Sequence, residues 1–137
     1  THICNPSKSG STVWEVSHPR FHLAVAVDDL AAAKHFYGEV LGCERGRAAD
    51  NWADWNLFGH QLVTHEVDDA RLADRGNSDV DGHAVPVPHF GVLVNVEQFH
   101  ELAARLRAAD VSFIIEPYLR FAGEAGEQWT MFLRDRR

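Results

Sequence analysis

What the chain has little of narrows the field first. No apolar run approaches the roughly eighteen residues that a membrane-crossing helix requires. The opening stretch, THICNPSKSGSTVWEVSHPR, has no apolar segment of the kind a secretory leader carries. No membrane partner is therefore expected. Only two cysteines, Cys4 and Cys43, occur in 137 residues. That is too few for a disulfide framework and points to a reducing, cytoplasmic setting. Cys43 has no base near it in sequence, so it is not expected to be a nucleophile. Basic residues are also scarce: thirteen against twenty acidic residues leave a formal charge of −7, which disfavours a nucleic-acid partner. There is no glycine-rich phosphate or dinucleotide loop and no GxSxG elbow. Asp68, Asp69, Asp74, Asp79 and Asp81 lack the spacing and glutamate finish of a calcium loop.

What is present is an ordinary globular composition, 45% apolar and 24% charged, in a chain long enough for one domain, residues 1–137, with a real core. The unusual count is nine histidines. Two of them mark an internal repeat. Phe21-His22-Leu23-Ala24-Val25-Ala26-Val27-Asp28 aligns with Pro88-His89-Phe90-Gly91-Val92-Leu93-Val94-Asn95, about half a chain later. Each copy opens on a histidine, continues as a β-branched apolar run and ends on a good helix-capping residue.

In the first module, about residues 20–66, a strand at 21–27 leads to a helix at 29–41 stopped by Gly42. Strands follow at 43–49, 52–58 and 61–66, the last two joined through a Gly59-His60 turn. Residues 67–88 read as a linker. The second module, about 89–135, repeats the order with a strand at 89–94, a helix at 96–109 and a strand at 111–116 ended by Pro117. A loop at 117–126 and a strand at 127–133 follow, and no fourth strand comes after. If the modules pack about a pseudo-twofold axis, His22 and His89 meet in one cleft, and paired neutral imidazoles are good ligands for a divalent transition metal. The competing reading is that each histidine caps a strand edge on a backbone carbonyl.

The stretch FHLAVAVDDLAAAKHFYGEVLGCE, with His22, Asp28-Asp29-Leu30, Phe36-Tyr37 and Leu41-Gly42, resembles the opening of a vicinal oxygen chelate protein. This superfamily includes glyoxalase I, bleomycin-resistance proteins, fosfomycin-modifying enzymes and extradiol dioxygenases. His89-Phe90-Gly91 and Met131-Phe132-Leu133-Arg134-Asp135 carry the resemblance into the second half. It implies an α+β fold of paired βαβββ modules, the glyoxalase-like fold. It also implies a divalent metal (Fe, Mn, Ni or Zn) held by His22, His89 and Gln61, with His65 as the alternate to Gln61. The last strand of the second module and its glutamate ligand are absent from the chain, and neither Glu116 nor Glu127 occupies the family position.

Truncation, a strand supplied by another chain, or loss of catalytic metal binding would each explain that absence. A homodimer, strand-swapped in one version, is expected. Trp52 and Trp55, by their strand, are expected near the trough. Arg120 and Phe121, with Tyr118, are expected on a loop covering its open side, so Trp52, Trp55, Arg120 and Phe121 are the candidate substrate contacts. The resemblance implies a metal-dependent lyase, isomerase or dioxygenase acting on a small molecule that chelates the metal through neighbouring oxygens. The alternative is a non-catalytic, sequestering protein of bleomycin-resistance type.

Overall fold

The computed structural model of the chain describes residues 19–68, 77–80, 82–86 and 88–135. The fold is α+β and divides into two units, residues 1–73 and 74–135.

Unit 1 follows the expected order. Strand β1 (His22–Val27) alternates small, exposed residues (Ala24, Ala26) with larger, more buried ones (Leu23, Val25, Val27) and ends at Asp28-Asp29. The cap is Asp29, whose carboxylate accepts from Ala32 N–H, while Glu66 accepts from Leu30 N–H at 2.7 Å. Two carboxylates thus satisfy amides that the first helical turn leaves open. Helix α1 (Leu30–Lys34) widens into a π-helical stretch, His35–Val40, with Leu41 N–H bonded to Phe36 O. Strands β2 (Glu44–Ala48), β3 (Trp52–Leu57) and β4 (His60–Glu66) complete a sheet of order β1-β4-β3-β2. β1 runs parallel to β4, and β3 is antiparallel to both β2 and β4. The β3–β4 turn is Phe58-Gly59, one residue earlier than expected. Both residues have positive φ, 50° and 89°, as a two-residue hairpin turn of this hand requires.

Alternation along the strands divides the sheet's side chains. Leu23, Val25, Val27, Ala53, Trp55, Leu57 and Leu62 pack with Leu30, Ala33 and Tyr37 into the unit's core. Trp55 is 1% exposed, and its Nε1–H donates to Thr64 Oγ1 at 3.1 Å; Thr64 in turn donates to Ala53 O. The buried indole therefore keeps its one polar atom bonded. Gly38 lies against the same ring: a Cβ there would sit 3.3 Å from Trp55 Cζ3.

Unit 2 departs from expectation at three places. The linker region contains a hairpin, β5 (Asn77–Val80) with β6 (His83–Pro86), in which Val80 pairs with His83 and Gly82 has φ 77°. The signal was the Asp81-Gly82 dipeptide, a strong hairpin turn former, which low apolar content obscured. Residues 69–76 of the expected linker lie outside the described residues. Second, residues 89–94 form no strand, and Leu93 is wholly exposed. In unit 1 the equivalent strand, β1, pairs only with β4. Among the described residues unit 2 has no counterpart of β4, so a strand-forming sequence there has no ladder to join.

Third, β7 (Phe113–Arg120) runs through Pro117 and pairs with β8 (Gln128–Leu133). Register is irregular between Ile115 and Tyr118, and such a bulge at the margin of a two-stranded sheet tolerates proline's missing N–H. Tyr118 and Arg120 are therefore strand residues rather than loop residues. Helix α2 (Val96–Ala108) opens on a reciprocal Asn95–Gln98 capping box. It closes with Asp110 in the left-handed region (φ 57°) and Val111 N–H bonded to Leu106 O, a glycine-type ending made with aspartate.

Thr64→Val should destabilise the fold by about 1–3 kcal/mol, because it strands the buried Trp55 N–H; urea denaturation followed by tryptophan fluorescence measures it. Trp55→Ala should cost about 3–5 kcal/mol as a core cavity. Trp52→Ala, at a half-buried position on the other face, should cost less than half as much in the same assay.

Candidate functional site

The parallel register of β1 on β4 sets His22 opposite Gln61, and β3 brings Asn56 opposite Gln61. All three lie on the face of the sheet opposite α1, here termed the distal face. The next rows on this face are Ala24, Val63 and Asp54, then Ala26, His65 and Trp52. Small residues on β1 keep the floor low, and polar groups line β3 and β4.

His22 and Gln61 touch: Nδ1 is 2.8 Å from Oε1. His65 shares the face but lies four residues along the strand. It stands opposite Ala26, roughly 13 Å along the strand from the Gln61 row. Trp52 is on the distal face. Trp55 is not: period-two alternation turns it to the helix side, where it is core. Asn56 is engaged locally, accepting from Gly59 N–H in the turn.

Asp54 was not anticipated. It is 5% exposed on the distal face, with Arg47 Nε 3.7 Å from its carboxylate. A buried aspartate is uncommon enough to mark a position. The available signal was its alternation with Trp52 and Asn56, which shows it shares their face.

In unit 2, His89 is exposed, bonds Pro86 O through Nδ1 at 2.8 Å, and sets its ring edge-on to Phe132 with centroids 5.2 Å apart. A backbone carbonyl only accepts, so Nδ1 carries the proton. Of the competing reading, His89 shows the bond to a carbonyl but opens no strand, and a bond of this kind is also the one by which metal-binding imidazoles are ordinarily oriented. The His83 ring of β6 lies tilted against the Tyr118 ring of β7, with centroids 4.9 Å apart. Arg120 lies 4.8 Å over the Phe121 ring, a cation–π contact at the end of β7. The two spare carboxylates have structural roles: Glu116 faces Arg107 of α2 at 3.6 Å, and Glu127 accepts from Gly123 N–H at 2.8 Å.

Among the described residues no group of three or more His, Cys, Asp or Glu side chains is gathered around one point. Imidazole nitrogens and amide oxygens are each, by their chemistry, suitable ligands for zinc, nickel, iron or manganese. No helix among the described residues is long and apolar enough to cross a membrane.

Residues 21–133 match the family model of the Glyoxalase/Bleomycin resistance protein/Dioxygenase superfamily. Among solved structures, a glyoxalase/bleomycin resistance protein/dioxygenase from Alicyclobacillus acidocaldarius is 31% identical at a TM-score of 0.63, covering 84% of this chain and 81% of that one. The fosfomycin resistance protein FosX from Listeria monocytogenes is 19% identical, TM-score 0.62, with 86% of each chain covered. A lactoylglutathione lyase from Agrobacterium tumefaciens is 18% identical, TM-score 0.55, with 88% of each covered. The last two likenesses concern the fold alone. No sequence relative was found among curated proteins. With a family match over residues 21–133, most of its length, the chain belongs to the glyoxalase/bleomycin resistance protein/dioxygenase superfamily.

Proposed function

We propose that the chain is a metal-dependent enzyme of the vicinal oxygen chelate type, acting on a small molecule that offers two neighbouring oxygens. The observation that carries this reading is a histidine at the same position of both sequence repeats. His22 and His89 each place Nδ1 2.8 Å from an oxygen. A structural role need not recur at both repeat-equivalent positions. Both would serve as nitrogen ligands. A bound divalent cation would supply Lewis-acid polarisation of the substrate oxygens.

The chain's own residues would do the rest. In unit 1, the low floor of Ala24 and Ala26 leaves room over the distal face, and Trp52 offers a flat apolar wall. In unit 2, Arg120, over the Phe121 ring, is the candidate contact for an anionic substituent. Lyase, isomerase and dioxygenase chemistry all fall within this reading. It includes a homodimer, since residues 89–94 carry a strand sequence without a ladder among the described residues.

A second reading is a binding module that sequesters a flat ligand without chemistry. Its support is the aromatic surface of His83, Tyr118, Arg120 and Phe121 in unit 2. Metal analysis of protein purified without a histidine tag separates the two. The enzyme reading expects about one divalent ion per site and at least about a tenfold weaker affinity in both His22→Ala and His89→Ala, first-sphere losses exceeding those for orienting partners. Equal nickel and zinc affinities in the wild type and both variants would overturn it.

A further inference from the structure

Among the described residues Asp54 is the only buried charged side chain, and nothing in the proposed function uses it. A buried carboxylate is costly unless opposite charge and hydrogen bonds compensate it. Thr64, the other buried polar residue, is compensated through Trp55 and Ala53. Asp54 has one partner among the described residues, Arg47, whose Nε stands 3.7 Å from Oδ2, beyond hydrogen-bond reach. The two side chains are 8% and 80% exposed, so a buried acid faces a solvated base.

The register brings them together. Arg45 pairs with Trp55 and Ala48 with Ala53, so Gly46 and Arg47 stand against Asp54 alone. A bulge of this kind re-aims a side chain, here an edge-strand arginine toward an inner-strand acid. On the distal face Asp54 has Trp52 and Asn56 beside it along β3 and Val63 across on β4.

We propose that Asp54 and Trp52 form a subsite for an organic cation, the ammonium or guanidinium group of a small molecule, and that Arg47 is the side chain this group displaces. The carboxylate supplies the charge and the half-buried indole a π face, a pairing that suits such cations. Arg47 is a weak permanent partner, because one long contact does little to offset the ordering of an exposed side chain. The reverse assignment, Arg47 held by Asp54 to take an anion, calls for a guanidinium fixed by short paired bonds. The single contact at 3.7 Å is not that. The subsite rests on the distal face of unit 1 being a ligand face, as the proposed function has it, and not on the metal.

Benzamidine, benzamide and benzoate share a shape and differ in charge. Titrated into metal-free, nitrogen-15-labelled protein, they are followed by the backbone amide shifts of residue 54 and Val63. Benzamidine should bind saturably, and the other two at least about tenfold more weakly. Asp54→Asn should weaken benzamidine at least about tenfold, and Trp52→Ala at least about twofold. Arg47→Ala, which removes the competitor, should tighten it about two- to fivefold. An unchanged affinity in Asp54→Asn, no preference for benzamidine, or benzamidine binding no tighter in Arg47→Ala overturns the subsite. Benzoate binding that is lost in Arg47→Ala assigns the pair to an anion and also overturns it. Should Asp54→Asn not fold, the wild-type and Arg47→Ala titrations decide alone.

Zinc titration keeps the subsite apart from the metal reading. Equal zinc affinity in Asp54→Asn and wild type, with benzamidine weakened, supports the subsite. Zinc binding lost in Asp54→Asn assigns the carboxylate to the ion and overturns it. Absence of zinc uptake in the wild type overturns the enzyme reading and leaves the benzamidine result standing.

Discussion

The parallel pairing of β1 with β4 is the constraint on which the rest depends. It is the non-local join in unit 1 that closes the strand–helix–hairpin order into one sheet, and it sets His22 across from Gln61. The same pairing lets Glu66, at the end of β4, reach the first amide of α1. Packing, helix start and ring orientation are therefore coupled through one ladder. Unit 2 shows the converse. There the histidine-led segment has no ladder among the described residues, and its apolar side chains, Phe90 and Leu93, lie exposed. Side-chain pattern alone does not make a strand; the hydrogen bonds of a neighbour must be available.

Much of unit 1 was legible because its signals are local. The capping aspartates, the Ala-rich amphipathic stretch and the alternation in β1, β3 and β4 lie within short windows. The Phe58-Gly59 turn was misplaced by one residue because a non-glycine at positive φ is uncommon. In unit 2 the tertiary context overrode local cues. Pro117 reads as a strand end, yet β7 passes through it at a bulge. The acidic, proline-containing stretch reads as linker, yet Val80 and His83 close a hairpin.

The candidate site was legible as residue types and partly as faces. His22, Gln61 and Trp52 share the distal face as alternation implies, and the same alternation applied to β3 separates Trp55 from Trp52. Asp54 was missed because a charged residue between two tryptophans looks like a solvent-facing position, whereas it is buried beside Arg47.

The tight connection between β3 and β4 acts as a gauge for all of this. Phe58 and Gly59 leave no slack, so the hairpin admits one alignment, and β4 delivers Gln61 to His22 and His60 to the opposite side. Sliding β4 by a single position would exchange an amide for an imidazole beside His22 and turn the buried Leu62 outward. An insertion at this bend, remote from any ring in question, would thereby rewrite the chemistry of a neighbouring strand without altering one of its atoms.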